Sequence, residues 1–404
     1  MMNRCLRAGR WAVLLVLVGS MSVLVACGGD DDGGDGGSAT AGQSRGQVVA
    51  DAKERIAPYM GVPEFNPKKF QPPAPPFEAS KAKGKVIFNI PISSALPFIK
   101  GIDEGQQQAA DAVGVTIVNF PNQGTVAEWV KGFDQAIARK ADLIVLDAAP
   151  NPAQLQPQIK QAEAAGIPVM ATHMPLNDEF PPGTLPATNI ANLTAVVPGP
   201  FPLASKLQAD YTVAHTPDDD VHALIITSNE VAASRGIVQM TQDELADVCS
   251  ECKTTVVNVP LNDWATKLQS AVQAALRKDP TINWVIPIYD SMSQFAVPAI
   301  QAAQKSDSVR VATFNGTSFV MKMIRDDDVV AMDIGESLNW LGWAFMDQAF
   351  RILSDVPPVE YTTAPTPLRI WDDSNIAEAG DPPKDSTGYG DSYVSGYKQL
   401  WGLE

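Results

Sequence analysis

The sequence predicts an α/β protein of two lobes, each built on a doubly wound parallel sheet. Short, continuously apolar runs of strand length alternate along the chain with segments whose apolar residues have helical spacing. This is the pattern of parallel strands that are covered by helices on both faces. The chain has 404 residues, of which 45% are hydrophobic and 19% are charged, so it has material for two or three packed lobes.

The first series of elements begins at Lys85. Residues 86–90 form an apolar run between Gly84 and Pro91, and apolar residues at helical spacing follow it. Thr125-Val126-Ala127-Glu128 has the form of a capping box that opens a helix with one apolar stripe. Further runs of strand type lie at residues 115–120, 143–146 and 168–171. Four strands with helices between them predict one parallel sheet.

A second series of the same kind follows Asn192. Strands are predicted at residues 223–227, 254–259, 284–287, 309–313 and 329–334, and helices near 200–214, 234–247, 265–278, 292–305 and 318–326. The chain after Asp355 is rich in Pro, Asp and Gly and has aromatic residues near its end. It is predicted to be a strap with a last strand or helix packed against the body.

The first 26 residues have the features of an export signal. Three Arg within the first ten positions precede an apolar stretch, residues 11–26, which is shorter than the roughly 20 residues of a bilayer span. Leu24-Val25-Ala26-Cys27 resembles the bacterial lipobox, in which the Cys is diacylated and becomes the mature N-terminus. Removal of residues 1–26 and lipidation of Cys27 are therefore expected. An ordinary signal peptide with a chance Cys is the alternative.

Residues 27–84 are predicted to separate the membrane from the body. Residues 28–37 contain only Gly and Asp, which bury nothing and repel one another, so they predict a flexible tether. The Pro-rich stretch around residues 71–76 is typical of a semi-rigid spacer or of a strap lying on the body. No later stretch is long enough to span a bilayer. The protein is expected outside the cytoplasm, held at the cell membrane by its lipid.

Charge and residue usage exclude several function classes. The formal charge is −16, and loss of the signal, with three Arg and no acid, makes it more negative, which disfavours nucleic acid and lipid headgroups. Three scattered His cannot supply a metal cluster. The acidic triplets at residues 218–220 and 326–328 lack the spacing of a calcium loop. Motifs of phosphate-binding loops, hydrolase elbows and zinc proteases are absent from the sequence. No cofactor and no metal are therefore expected.

The two cysteines of the body, Cys249 and Cys252, form a C-x-x-C pair. Outside the cytoplasm, and without another Cys or a His cluster, such a pair favours a structural disulfide. Free thiols and redox catalysis are the alternatives.

The candidate binding residues directly follow the strands, because open α/β sheets bind ligands beyond the carboxyl ends of their strands. Polar groups with a few aromatic faces suit a small neutral polyhydroxylated ligand, or a mixed polar and aromatic one. The alternative is that the polar residues only cap helices. In the first lobe these positions are Ser93, Ser94, Phe98, Asp147, Asn151 and His173; in the second they are Asn229, Glu230, Arg235, Asp263, Trp264, Tyr289, Asp290, Phe314, Asn315 and Glu336.

Several segments together resemble the type 1 periplasmic sugar-binding proteins, the ribose-binding-like solute receptors. The resemblance spans about residues 85–355, with the motifs Val86-Ile87-Phe88-Asn89-Ile90-Pro91, Phe98-Ile99-x-Gly101-Ile102-x-x-Gly105, Leu143-Ile144-Val145-Leu146-Asp147, Gly166-Ile167-Pro168-Val169, Ser234-Arg235-Gly236, Tyr289-Asp290 and Phe314-Asn315-Gly316. It implies two Rossmann-like lobes joined by three crossing strands, a ligand in the cleft, and delivery to the membrane permease of an ABC importer. The implied lobes are residues 85–190 with about 336–365, and residues 191–335 with about 366–404.

The resemblance also implies roles for individual residues. Arg235 is implied to hydrogen-bond sugar hydroxyls, and Asp290 and Asn315 to make polar contacts with the ligand. Phe98 and Trp264 are implied to stack on it. One departure weakens the inference of a sugar: the family commonly has Asp-Arg after the fourth strand, where this chain has His173-Met174. A receptor for a less polar or aromatic ligand is the alternative.

The expected function is capture of a sugar or sugar-like molecule by a monomeric, lipid-anchored receptor for uptake by an ABC transporter, without catalysis. A ligand sensor that serves a kinase is one alternative. A more remote one is an extracytoplasmic hydrolase that uses His173 with Asp147 or Asp290. A hydrolase would need a nucleophile or a metal, and the sequence indicates neither.

Replacement of Cys27 tests the lipid anchor. Cys27→Ala removes the thiol that would carry the lipid, while the Gly/Asp tether contributes no packing, so the variant should fold normally and lose membrane retention. Detergent phase partitioning of the two forms measures this. Partitioning of the wild type into the aqueous phase, equal to that of the variant, would reject the lipoprotein assignment.

Overall fold

The computed structural model describes residues 44–63, 74–148, 150–176, 192–218, 220–326 and 329–404. The signal, Cys27, the Gly/Asp tether and most of the Pro-rich stretch lie outside these residues, as do parts of both acidic triplets. The predictions about them stay predictions. Within the described part of the chain, no helix is both long and apolar enough to cross a membrane.

The first sheet has five parallel strands in the order β2-β1-β3-β4-β5. They are β1 (Val86–Pro91), β2 (Thr116–Asn119), β3 (Leu143–Asp147), β4 (Val169–Met174) and β5 (Ala195–Pro198). The central strands β1, β3 and β4 are buried almost throughout, which explains their apolar sequences. The four predicted strands are confirmed. β5 is an addition, because four residues that end in proline carry little sequence signal.

Three helices alternate with the strands of the first sheet. They are α2 (Pro97–Val113), α3 (Val126–Ala138) and α4 (Gln156–Ala164). The capping box that opens α3 is present, because Thr125 Oγ1 accepts from Glu128 N and the Glu128 carboxylate accepts from Thr125 N. The cap satisfies backbone donors that would otherwise lack partners.

The second sheet has six strands in the order β11-β10-β9-β8-β6-β7, and only β11 runs antiparallel to its neighbour among these described strands. They are β6 (His222–Thr227), β7 (Lys253–Asn258), β8 (Trp284–Pro287), β9 (Arg310–Asn315), β10 (Val330–Glu336) and β11 (Leu368–Trp371). The five strands predicted in this region are confirmed, and β11 extends the sheet.

In the described part of the chain, five helices alternate with the strands of the second sheet. They are α5 (Phe201–Ala214), α6 (Ser234–Val248), α7 (Gln269–Lys278), α8 (Ser293–Ala302) and α9 (Ser318–Arg325). Cys249 and Cys252 form a disulfide between the end of α6 and the start of β7, in agreement with the favoured structural role.

The chain crosses between the sheets at one end of the molecule. It passes from β5 to α5 through residues 198–201, and from β10 into α10 (Leu338–Leu353), which packs against α2. From α10 it returns to the second sheet as β11, and α11 (Ser392–Leu400) then packs on α10. The crossings leave from β5, an edge strand of the first sheet, and from β10 and β11 at one edge of the second.

Two expected lobe boundaries are wrong. The first sheet ends at Pro198 instead of residue 190, because β5 pairs with β4. The chain end, expected in the second lobe, lies on α10 of the first, where Tyr393 stacks on Trp340 and Trp401 stacks on Trp343. Burial of these large rings against α10 explains the position of α11, since aromatic side chains remove much apolar area from water.

A helix within the expected spacer, α1 (Arg45–Ile56), packs on α5 of the second lobe. Its buried residues are Val49, Ala52 and Ile56, and Arg55 pairs with the buried carboxylate of Asp210 at 2.7 Å. No helix was predicted between the tether and the Pro-rich stretch, so α1 is an addition. The i, i+3, i+7 spacing of the three apolar residues was a helical signal.

Trp401 should be a main support of the packing around α10. Its ring is fully buried and 5.2 Å from that of Trp343, and its Nε1 donates to Asp347 Oδ1 at 2.8 Å. Trp401→Ala should lower the free energy of unfolding by about 3 to 5 kcal/mol, since it leaves a cavity. Urea unfolding measures this, with Trp401→Phe as an intermediate case that keeps a ring but loses the donor. A loss below about 1 kcal/mol for the alanine variant would contradict the assigned role.

Candidate ligand-binding cleft

A cavity of about 40 Å³ lies at the carboxyl ends of the strands of both sheets. Its walls are mostly apolar, with a few polar groups between them. The lining residues are Ile92, Leu96, Phe98, Ala148, His173, Phe201, Val231, Leu261, Trp264, Tyr289, Ser291 and Asn315. Both lobes contribute to this set, so the position agrees with the expected site between the lobes.

His173 is the polar centre of the cavity. It belongs to β4, and its Nε2 lies 3.0 Å from Oε1 of Glu336, the last residue of β10. The imidazole is surrounded by the rings of Phe98 at 5.1 Å, Phe201 at 4.7 Å and Phe314 at 6.3 Å. Both partners of the hydrogen bond are buried. The contact therefore joins the two sheets directly, in addition to the covalent crossings.

Trp264 lies in the wall contributed by the second lobe, as expected. It begins a π-helical turn, Trp264–Leu268, that leads into α7. Its Nε1 donates to Ser228 Oγ at 2.9 Å and to the Val259 carbonyl at 3.0 Å. Because the indole N–H is engaged by the protein, the residue offers an aromatic surface to the cavity and no donor.

Tyr289 and Asn315 also line the cavity, as expected. The Tyr289 hydroxyl lies 3.3 Å from Ser234 Oγ, and burial raises the pKa of this phenol. Asn315 Nδ2 is buried and has no hydrogen-bond partner among the described residues. An unsatisfied buried amide is costly, so this group is suited to a ligand oxygen.

Three expected residues of the first lobe serve its interior instead. Ser93 and Ser94 direct their hydroxyls to the Asn122 carbonyl, at 3.5 and 3.0 Å, and so tie the loops after β1 and β2 together. Asp147 Oδ1 accepts from Gln106 Nε2 and from Thr172 Oγ1, and burial raises the pKa of Asp147 to about 6. Neither Ser93 nor Ser94 nor Asp147 lines the cavity. Polarity at a strand end therefore indicated a contact within the lobe in all three cases, to a loop for the two serines and to α2 and β4 for Asp147.

Arg235, expected to bind ligand hydroxyls, is exposed and does not line the cavity. The reason is its position on α6. Ala233 and Ser234 are buried, and the next residue is turned by about 100° around the helix axis, which directs Arg235 to solvent. The expected role of this residue is not supported by its position.

Asp290 is also directed away from the cavity. Its Oδ2 accepts from Thr317 N at 2.8 Å and from Thr317 Oγ1 at 2.6 Å. A second buried carboxyl, Asp333, lies beside Asp290 and accepts from Gly316 N at 3.3 Å. Burial and the neighbouring charge of Asp290 raise the pKa of Asp333 well above its usual range. Two buried carboxyls side by side do not readily both ionise, so we expect them to share one proton; they also join the loops after β8 and β9.

The remaining polar positions act mainly as caps and loop ties, which was the alternative interpretation. Asn151 caps a helical turn through Ala153 N at 3.0 Å, and Asp263 pairs with Lys267 at 2.7 Å. The Glu230 carboxylate accepts from Leu261 N. Asn229 is exposed.

Sequence reasoning missed the apolar part of the lining. Ile92, Leu96, Phe201, Val231 and Leu261 line the cavity, but each could equally be a core residue when judged from sequence. The signal that could have found them is their position directly after strands β1, β5, β6 and β7.

The arrangement is built for binding. His173 hydrogen-bonds Glu336, whereas the alternative function as a hydrolase would pair it with Asp147 or Asp290, which bond to other residues. The polar atoms of Trp264 and Tyr289 have protein partners. What remains for a ligand is aromatic and aliphatic surface with a small number of polar contacts.

The shared proton of Asp290 and Asp333 should make stability depend on pH. The folded protein holds a proton that the unfolded chain releases near its ordinary pKa of about 4, so the free energy of unfolding should fall as pH rises above that value. Asp333→Asn keeps a donor toward Asp290, and it should be more stable than the wild type at about pH 8, with a shallower dependence. Urea unfolding between about pH 5 and pH 8 measures this. The exposed Asp307→Asn is the control; a dependence as steep in Asp333→Asn as in that control would contradict the shared proton.

Comparison with known proteins supports the fold. A solute-binding protein of an ABC transporter from Agrobacterium vitis, bound to α-D-tagatopyranose, is 20% identical with a TM-score of 0.63, covering 73% of this chain and 96% of that one. The 5-methylthioribose transporter solute-binding protein from Thermotoga lettingae is 18% identical with a TM-score of 0.63, covering 82% and 100%. At these identities the structures show the two-lobed fold of type 1 periplasmic binding proteins.

Sequence comparison identifies the family. D-apiose import binding proteins from Paraburkholderia graminis and Actinobacillus succinogenes are 25% and 24% identical to this chain, covering 58% and 56% of it and 70% and 69% of their own lengths. A family model described as periplasmic binding protein domain matches residues 87–355, which is more than half of the chain. The chain therefore belongs to the periplasmic binding protein family, whose members are solute receptors and not enzymes.

Proposed function

We propose that this protein is the extracytoplasmic receptor of an ABC importer and that it binds a sugar or a sugar-like compound in the cavity between its lobes. The observation that carries this proposal is the combination of aromatic and polar side chains in the cavity lining. Aromatic faces of Phe98 and Trp264 stand beside the few polar groups of His173, Tyr289 and Asn315. Rings cover the C–H faces of a polyol while the polar groups receive its hydroxyls.

Uptake into this cavity requires the lobes to separate. A volume of about 40 Å³ accommodates about three water molecules and not a monosaccharide. The crossings at one end of the molecule supply a hinge, which is a common device for closing two lobes around a solute. Closure around the ligand would give a permease a surface that differs between the loaded and the empty receptor.

The relatives support a carbohydrate ligand. The two curated relatives are named for import of D-apiose, and the solved structures hold tagatose and 5-methylthioribose. These compounds are small and neutral, which agrees with a lining in which no Lys or Arg occurs among the described residues.

Attachment to the membrane through a lipid on Cys27 completes the proposal. The lipobox-like segment and the Gly/Asp tether support it, because together they would hold the receptor near a membrane permease and leave its body free to turn. The permease of the importer is the proposed partner.

Mass spectrometry of the protein, purified without denaturation, tests the function. The expected result is a retained carbohydrate of unchanged structure, bound one to one. A retained compound that is not a carbohydrate, or an enzymatic product formed from an added sugar, would reject the proposal.

Two variants in the same lobe test the site. Trp264→Ala should weaken binding of the retained ligand by about 1 to 3 kcal/mol, or roughly five- to 150-fold in Kd, because stacking surface is lost. Arg235→Ala should bind within about twofold of the wild type, since Arg235 is exposed. Calorimetric titration measures both, with thermal melts to confirm folding. A large loss in Arg235→Ala with none in Trp264→Ala would show that the ligand binds outside this cavity.

A further inference from the structure

The polarity of the cavity changes along its length, and the order of the strands shows this. In the second sheet the strands lie in the order β10, β9, β8, β6, β7. β10 and β9 end at Glu336 and Asn315, and the lining residues after the next three strands are Tyr289 with Ser291, Val231, and Leu261 with Trp264. Adjacent strands are about 4.8 Å apart, so Asn315 and Leu261, three strands apart, follow positions separated by about 14 Å. The wall therefore runs from polar at β10 to apolar at β7.

The first sheet repeats the gradient in the same direction. Its order β4, β3, β1 places His173, then Ala148, then Ile92 along the cavity. His173 contacts Glu336, so β4 faces the β10 end of the second sheet. At the other end, a Cβ on Gly124 would lie 2.6 Å from Leu261 Cδ2, so the loop after β2 meets the loop after β7. The polar end of the wall from the first sheet thus faces the polar end of the wall from the second sheet, and the two apolar ends face each other.

The polar end contains two of the buried hydrogen-bonding groups that lack a partner among the described residues. Asn315 Nδ2 and Glu336 Oε2 are both buried, and neither has a partner within the described part of the chain. One is a donor and the other an acceptor. Of the two residues, Asn315 lines the cavity, so its Nδ2 can donate to a ligand hydroxyl, while the other Glu336 oxygen is held by His173.

The apolar end offers a ligand almost no hydrogen bonds. Val231, Leu261 and Leu96 carry no polar side-chain atoms, and the only N–H of the Trp264 side chain is engaged by Ser228 and Val259. A ligand hydroxyl placed there would lose its water without gaining a protein partner, which is unfavourable. An apolar group in the same place would instead remove hydrocarbon surface from water.

We propose that the ligand is an amphipathic polyol, that is, a sugar-like compound with hydroxyls at one end and an alkyl, alkylthio or aryl group at the other. The hydroxyl end lies at Asn315 and His173, which line the cavity, and the apolar group lies against Trp264, Leu261 and Val231. This inference rests on the proposed function and narrows its substrate class. Fully hydroxylated sugars fit the cavity less well, because their remaining hydroxyls face the apolar end.

Binding of matched pairs of compounds tests the proposal on the unaltered protein. The pairs are D-ribose with 5-methylthioribose, and D-glucose with methyl and phenyl β-D-glucopyranoside, titrated by calorimetry. In at least one pair the member with the apolar group should bind about tenfold tighter or better. Equal or tighter binding of the unsubstituted sugar in every pair that binds would overturn the amphipathic ligand and leave the carbohydrate receptor intact. Absence of binding by all five compounds, together with a retained compound that is not a carbohydrate, would overturn the proposed function itself.

Val231→Thr locates the apolar group, because it replaces a methyl by a hydroxyl with little change of shape. It should reduce the advantage of the substituted compound over its unsubstituted partner by about threefold or more. Val256→Thr makes the same change at a position of β7 that is 42% exposed, and it should leave the advantage unchanged. An advantage that survives in Val231→Thr, with the variant folded by its thermal melt, would place the apolar group elsewhere and overturn the assignment of this end.

Discussion

The hydrogen bond between His173 and Glu336 is the constraint on which the cleft depends. The two residues lie at the carboxyl ends of strands in different sheets, and both side chains are buried. A buried carboxylate needs a partner because its desolvation is costly, so the pair holds the sheets at one separation. The rings of Phe98, Phe201 and Phe314 fill the space around the imidazole. This one pair fixes where the cavity lies and which of its ends is polar. It is also the contact that joins the lobes at that end.

Other buried polar groups near the cleft hold loops and leave its walls apolar. Asp147 joins β3 to α2 and β4 through Gln106 and Thr172. Asp290 and Asp333 join the loops after β8 and β9. The hydrogen-bond partners of these carboxyls lie within the same lobe, so the carboxyls connect the rim of each lobe internally. The cavity then takes its chemistry from the side chains between these rims.

More of the fold than of the binding site could be predicted from the sequence. Continuous apolar runs specify buried parallel strands, because few other elements bury every residue, and β5 escaped this signal only because it is short and ends in proline. Site residues are harder, since a polar group after a strand faces either the cleft or its own loop. Trp264 and Asn315 face the cleft, whereas Arg235 lies one position beyond buried Ser234 and faces solvent. Successive residues of a helix are rotated by about 100°, and a sequence motif does not show which of them faces the cleft. The apolar lining was missed because leucine and valine resemble core residues until a cavity is seen beside them.

The crossings between the lobes lie at the edge that carries β5, β10 and β11, and Glu336 is part of one of them. In the proposed opening motion, the hinge lies at the polar end of the cavity. The displacement of a residue on opening therefore grows with its distance from the hinge. His173 and Glu336 would separate little, while Leu261 and the loop of Gly124 would separate most and become wet. Drying of that rim on closure stabilises the closed form. The hinge thus lies at the polar end of the cavity. Burial of apolar surface at the opposite end, farthest from the hinge, supplies the free energy that favours closure.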